Sequence, residues 1–272
     1  MTTPNPAPDL RPLVLALADD ELVTGHRTSH WTGVAPSLEL DLALSSIAQD
    51  EINHADTWYQ LLVGAPGGSD AAAVDALALG RVPGDYRHAT ICEQTPGDLG
   101  HTLARHWLYD HADTIRLTSL RRSADADVAA LADRLVHEEQ YHLAHADLWF
   151  DRLVDGGEET RRPFAEGLRT ALATAPGLFE SVENEDDLVA TGVLPESFAD
   201  LAVAWLDVVL PRIDRAGLAD VVPAEVRAVA AGTHPGALPG AGGRRGRHTS
   251  AFDDDVWPEM THLYRAHPGA TW

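Results

Sequence analysis

The chain has 272 residues, 44% hydrophobic and 23% charged, an ordinary globular balance that allows one large domain or two small ones at ~150 residues per domain. Its single cysteine, Cys92, excludes a disulfide framework and a cysteine-ligated zinc or iron–sulfur site. No run of 18 apolar residues occurs, and the opening MTTPNPAPDLRP has neither a basic nor an apolar signal region, so a cytoplasmic protein without membrane spans is expected. Forty-two acids against 20 bases give a formal net charge of −22, and every base is arginine. Such a surface repels nucleic acid and anionic membranes. A GC-rich genome explains the missing lysine but not the acid excess. High salt would screen the self-repulsion, and the combination points to a halophile.

Sustained period-2 alternation is absent, so the chain reads as all-α. The first helix is expected from about Leu10 to Trp31 and is turned by WTGVAPS. The second runs from Pro36 and Leu38 to about Leu62, where GAPGGSD ends it. A weaker helical patch spans Ala71 to Leu79. The third long helix covers about Gly97 to Arg122 and the fourth about Asp125 to Val154. Four helices of ~20–30 residues are bundle length, well beyond the ~11–12 residue average. The rest is helical but broken, with segments near Glu159–Thr174, Pro195–Gly217, Pro223–Ala231 and Asp254–Ala266. THPGALPGAGGRRGR, before the last of these, reads as a flexible surface loop or a short basic arm, the loop being preferred. The whole chain, 1–272, is expected to form a single domain, with a core bundle over about 10–155 and a helical extension over about 156–272.

Two Glu-x-x-His motifs stand on long helices, Glu51-Ile52-Asn53-His54 and Glu139-Gln140-Tyr141-His142. A spacing of i, i+3 places the carboxylate and the imidazole on one helix face. Thirty residues before Glu51 stands Glu21, midway along the first helix, and 29 before Glu139 stands Asp110, midway along the third. Ferritin-like di-iron bundles use this arrangement: one Glu from each of two helices and Glu-x-x-His from each of two others. Glu21 shares a stripe with Val14, Leu17, Ala18, Gly25 and Thr28, and Asp110 shares one with Leu103, Trp107, Thr114 and Leu117. Glu21, Glu51, His54, Asp110, Glu139 and His142 are therefore expected to converge inside the bundle, where unpaired charge is costly.

Two occupants of that layer remain open. One is a di-metal centre, possible or vestigial, with the six residues as ligands. The other is a metal-free polar network in which the histidines bond the carboxylates and an arginine closes the charge; Asp110, one methylene shorter than glutamate, suits the second better. His26, His30, His106 and His111 read as structural or solvated, Tyr109 and Tyr141 as flanking the layer, and Cys92 as a buried or idle thiol. No glycine-rich dinucleotide or phosphate fingerprint follows a strand.

LADDELVTGHRTSHWTGVAPSLELDLALSSIAQDEINHADTWYQLL, HEEQYHLAHADLWFDRL and the tail GRRGRHTSAFDDDVWPEMTHLYRAHPGATW together resemble the C subunits of the ring-epoxidising phenylacetyl-CoA oxygenases, the phenylacetyl-CoA 1,2-epoxidases. The resemblance spans nearly the whole chain, and the tail, with Gly-Arg-x-Gly-x-His-Thr and a terminal Pro-Gly-x-x-Trp, is its most specific part. It implies a ferritin-like fold and a place in a multicomponent monooxygenase that epoxidises phenylacetyl-CoA for aerobic phenylacetate degradation. In such an assembly a homologous A subunit holds the catalytic di-iron site, a reductase delivers electrons from NADPH, and the C subunit is mainly structural and holds no cofactor in that role. One departure is His30, where the family pattern leads us to expect an acid. The alternatives are a di-iron oxidase or oxygenase active in its own right and, less favoured because of the ~100 extra C-terminal residues, an iron-storage protein.

Overall fold

The computed structural model describes residues 8–64 and 70–270. It is helical throughout, with no strand among the described residues. The four long helices are α1 (Arg11–Ser29), α2 (Leu38–Val63) and, after the short α3 (Ala71–Leu79) and α4 (Thr90–Glu93), α5 (Leu99–Leu120) and α6 (Ala126–Asp155). Their ends fall close to those expected because the starts are written in capping side chains. Ser37 accepts from the Leu40 N–H at 3.3 Å, Asp98 from that of His101 at 2.8 Å, and Asp125 from those of Asp127 and Val128 at 3.1 Å. Each satisfies a donor that a helix start leaves free. Left-handed Gly64 closes α2, and the remainder of the GAPGG turn lies outside the described residues.

Helix α1 packs along α2, α5 along α6, and α2 meets α6. Every residue of α1 from Leu13 to Gly25 is buried, so this helix has no polar stripe and is wrapped on all sides. Gly25 sets its approach to α2. A Cβ there would stand 2.9 Å from the Ala48 carbonyl oxygen and 3.0 Å from Cβ of Glu51. The bare backbone thus brings the two helices together one turn beyond Glu21, beside Glu51.

The extension covers the side of α5. Helix α7 (Glu158–Leu172) packs on α5, followed by α8 (Glu185–Ala190), α9 (Phe198–Arg215) and α10 (Ala224–Ala230). Trp205 anchors α9 by donating its indole N–H to the Leu108 carbonyl at 3.1 Å. The last expected helix, Asp254–Ala266, is broken into a π-type turn over Phe252–Val256, α11 (Trp257–Met260) and α12 (His262–Ala266). Pro258 explains the break, since it cannot donate to the Asp254 carbonyl. Helices α4 and α8 do not show in the sequence pattern; at four and six residues they are too short for a periodic signal.

The first part of the glycine-rich stretch, residues 233–237, is a largely exposed surface loop as expected, but the part from Gly242 to Arg244 is fixed against the body. Arg244 within it is buried and bonds Asp20 of α1 through both guanidinium Nη atoms at 2.7 Å. A Cβ on the neighbouring Gly243 would lie 2.0 Å from the His88 carbonyl oxygen, so only glycine lets the tail lie this close to the body. Among the described residues, no helix is long and apolar enough to cross a membrane.

Candidate metal centre

Asp19, Asp20 and Glu21 are consecutive buried acids at the middle of α1, and their surroundings differ sharply. Asp19 accepts from the Tyr59 hydroxyl, the Arg81 guanidinium and, at 2.6 Å, the Arg87 N–H. Asp20 is held by Arg244, by Arg116 at 2.5 Å and by the Ala89 N–H at 2.7 Å. Burial pushes the Asp20 pKa up, but the two guanidinium groups overcome it and hold the carboxyl below its ordinary range. Glu21 has no cationic neighbour of this kind. Burial and the nearby charges of Asp113, Glu51 and Glu139 push its pKa well up, and neither of its oxygens has a hydrogen-bond partner.

Glu21 faces the two motif helices. Ligand atoms of Glu21, Glu51, His54 and Glu139 all lie within 4.8 Å of one another, every one buried. Glu139 Oε1 stands 3.1 Å from Nδ1 of His54 and 3.1 Å from Nδ1 of His142, while His142 Nδ1 is 3.5 Å from Glu51 Oε1. The outer nitrogens bond across the helix pair. His54 Nε2 meets Glu138 at 2.9 Å, and His142 Nε2 meets Asp50 at 3.4 Å. Each motif helix thus supplies the acid that orients the other's histidine. Metal-binding imidazoles are commonly fixed in this way, one nitrogen toward the ion and the other toward a carboxylate.

Asp110 stands beside this group rather than in it. It is buried and neither of its oxygens is hydrogen-bonded, yet it falls outside the 4.8 Å cluster. Burial raises its pKa well above the usual value; the His142 charge opposes that shift and the neighbouring acids add to it. Tyr109 is buried with an unpartnered hydroxyl, but Tyr141 is half exposed on the outer face of α6 and does not flank the layer. One turn further along the same helix, the Trp149 indole N–H donates to His145 Nε2 at 3.0 Å. His106 is fixed by Thr28 at 3.0 Å and His111 by Asp147 at 3.0 Å. Cys92 is buried, and burial with the Asp20 charge pushes its thiol pKa well up, which makes it unreactive.

The donor set fits a pair of divalent cations. Eight buried atoms of Glu21, Glu51, His54, Asp110 and Glu139 have no hydrogen-bond partner, a density of unsatisfied groups that a protein interior does not carry without cause. Among the described residues no arginine pairs with any of these carboxylates. Arg116, the nearest candidate, is committed to Asp20 and Asp113. An arginine-closed network is therefore not what forms. Without metal, protons balance the layer. Burial opposes charging His54 and His142, but Glu139 and its neighbours prevail and push them up to about 9 and about 12. Burial likewise opposes ionisation of Glu139, and the two imidazoliums hold it down to about 2. Metal ions displace such protons when they bind.

Asp50 and Glu138, which meet the outer nitrogens of the two motif histidines, are not part of the motif pattern. Their signal is present in the sequence, an acid immediately before each motif glutamate, but its meaning depends on the two helices facing each other.

A second buried cluster fastens the tail. Glu93 accepts from His88 at 2.8 Å and from the Thr249 N–H at 2.8 Å, with His248 stacked on His88 at 4.1 Å between ring centroids. Burial raises the Glu93 pKa, but His248, His88 and the Thr249 N–H hold it down to about 2. A carboxyl lowered from 4.5 contributes stability above pH 4.5 that is lost as pH falls toward 2, roughly 3 kcal/mol in all. Limited proteolysis by pepsin is therefore expected to release the segment after Thr249 progressively between pH 4.5 and 2. In Glu93→Gln the segment should be equally accessible at pH 4.5 and pH 2; a wild-type-like acid transition in that variant would refute the assignment.

Four long helices, two bearing Glu-x-x-His and one contributing a buried glutamate to the same layer, define a ferritin-like protein. The family model for phenylacetic acid catabolic proteins matches residues 2–272, and the chain belongs to that family. It is 28% identical over 258 residues to the C subunit of the 1,2-phenylacetyl-CoA epoxidase of Escherichia coli (strain K12), a match covering 95% of this chain and 97% of that protein.

Proposed function

We propose that this chain is the ferritin-like C subunit of a multicomponent phenylacetyl-CoA epoxidase of aerobic phenylacetate degradation, working in the cytoplasm chiefly as the structural partner of a homologous catalytic di-iron A subunit. An NADPH-dependent reductase completes the electron supply, and phenylacetyl-CoA is the substrate of the assembly. The observation that carries this reading is the near full-length correspondence, 95% of one chain with 97% of the other, together with a family match that runs to residue 272. A partner-facing surface is consistent with it. Leu38, Leu42 and Ile52 are exposed along one face of α2, and Tyr141 and Leu148 along one face of α6, an unusual apolar display on a chain of net charge −22. The chain folds as one domain in this reading, the extension packing on the bundle.

A second reading rests on the metal centre. Glu21, Glu51, His54, Glu139 and His142, with Asp110 at its margin, would hold a di-iron pair, and a bound pair would supply dioxygen chemistry. In that case Glu138 and Asp50 orient the imidazoles, and the apolar walls of the bundle exclude water. Co-expression with the A-type partner separates the two readings. The structural role predicts higher soluble yield and a co-eluting complex burying ~2,000 Å² or more, with no oxygen uptake by the isolated C-type chain. Clean separation of the two proteins at micromolar concentration would refute it, and reductant-dependent oxygen consumption by the isolated chain would establish the second reading.

A further inference from the structure

The end of α1 and the short helix α11 near the C-terminus bring a third set of metal-binding side chains together, outside both motif helices. His26, in the last turn of α1, and His30, its C-cap residue, stand one turn apart, and both rings address one carboxylate oxygen of Glu259. Their Nε2 atoms lie 3.6 and 3.2 Å from Glu259 Oε2, and one ligand atom from each residue falls within 4.8 Å of the others. Both Nε2 atoms are shielded from solvent, yet neither has a hydrogen-bond partner of acceptable geometry. The rings meet edge to face with centroids 5.1 Å apart, so both nitrogens can turn toward one point.

We propose that His26, His30 and Glu259 form a mononuclear site for a divalent transition metal, zinc foremost, that clasps the C-terminal helix to the end of α1.

The distances suit the ion. Ligands 2.0–2.1 Å from a tetrahedral zinc stand about 3.3 Å from one another, between the two observed separations. Two imidazoles and one carboxylate are a zinc-type donor set that leaves a fourth position for water. Calcium and magnesium prefer all-oxygen ligands and are disfavoured by the two nitrogens. The site is also electrostatically prepared. The last turn of a helix presents its carbonyls and the negative end of its dipole, favouring a cation. Arg27, the cation nearest in sequence, is already engaged with the Glu93 carbonyl and Asp255.

The role follows from where the ligands sit. Glu259 is exposed and flanked by the broken helix around Pro258, a segment otherwise fixed by Trp257 donating to the Arg81 carbonyl at 2.9 Å. A metal bridging it to α1 adds a further, condition-dependent attachment to that bond and the Arg27–Asp255 pair.

The test uses the full-length chain with zinc, and with cobalt(II) as a spectroscopic reporter. The Glu139→Gln variant serves as the background, so that the central layer is impaired. One equivalent of zinc is expected to bind there, with tetrahedral cobalt bands that zinc displaces. Adding His30→Ala or Glu259→Gln should weaken binding by more than the ~10–100-fold that loss of an outer partner costs. Zinc should slow tryptic cleavage after Arg265 in the parent and not in these two variants. Both substitutions fall at partly or fully solvent-exposed side chains, and unchanged circular dichroism will show that the fold is retained. Absence of zinc binding in the Glu139→Gln background, or binding at parental affinity in either added variant, overturns the proposal.

Discussion

On the reading in which the central layer holds ferrous iron, replacing Glu139 by Gln is expected to abolish the thermal stabilisation that the metal would confer while leaving the metal-free fold nearly as stable as before. Glu139 is the hub of the central layer, placed 3.1 Å from the inner nitrogens of both histidines. In the metal-free state its anion is balanced by those two imidazoliums. A glutamine of the same shape can still donate to one Nδ1 and accept from the other once the histidines return to neutral. The substitution also removes a buried charge, which commonly makes such changes neutral or stabilising. With iron the sign reverses. A ligand present at 100 times its Kd stabilises the native state by about 2.7 kcal/mol, and in a chain of this size each kcal/mol moves the Tm by about 2–4 °C. Anaerobic melting should therefore rise by roughly 5–10 °C for the wild type and hardly at all for Glu139→Gln, with about two irons per wild-type chain. Equal shifts in both proteins, or none in the wild type, would show that this layer does not hold the metal.

That layer is largely legible in the sequence because its logic is periodic. The i, i+3 spacing of Glu51 and His54, and of Glu139 and His142, fixes a shared face on any helix, and the helix starts are announced by Ser37, Asp98 and Asp125. Glu21 follows from the offset to Glu51 and lies in the cluster; Asp110 follows from the same reasoning and lies just outside it. A shorter side chain at the matching register does not reach the same point. What cannot be read is everything that depends on contacts between distant segments. Asp20 looks like its neighbours Asp19 and Glu21 in the sequence, but only the folded chain supplies it with Arg116 and Arg244, 96 and 224 residues away. The glycine-rich tail reads as flexible by composition, because composition does not reveal that Gly243 lies against the His88 carbonyl. Tyr141 departs from expectation for a simpler reason: it lies between the two motif positions in sequence, but the helical turn of ~100° per residue puts it on the far side of α6, facing outward.

Arg244→Ala is expected to be among the most damaging single substitutions in the chain, although residue 244 lies in a stretch without regular periodicity. Its guanidinium donates to both oxygens of Asp20 at 2.7 Å, to the Ala16 carbonyl at 3.0 Å, to the Arg87 carbonyl at 2.6 Å and to the Leu178 carbonyl at 2.9 Å. One side chain therefore joins α1, the segment before α4, the turn after α7 and the C-terminal tail. Alanine leaves Asp20 buried with Arg116 as its remaining cation and removes the Arg244 donor from three carbonyls. Removing one partner of a buried ion pair costs about 3–5 kcal/mol, which corresponds to a Tm lower by roughly 6–20 °C. Because Asp20 precedes Glu21 on α1, the loss should extend to the metal layer and weaken iron binding without touching a ligand. A double-mutant cycle isolates the cause. Asp20→Asn relieves the uncompensated charge, so Asp20→Asn with Arg244→Ala should be clearly less destabilised than the sum of the two single changes. Strict additivity, or a cost below about 1 kcal/mol for Arg244→Ala, would show that the tail is held elsewhere and that α1 keeps its position without it.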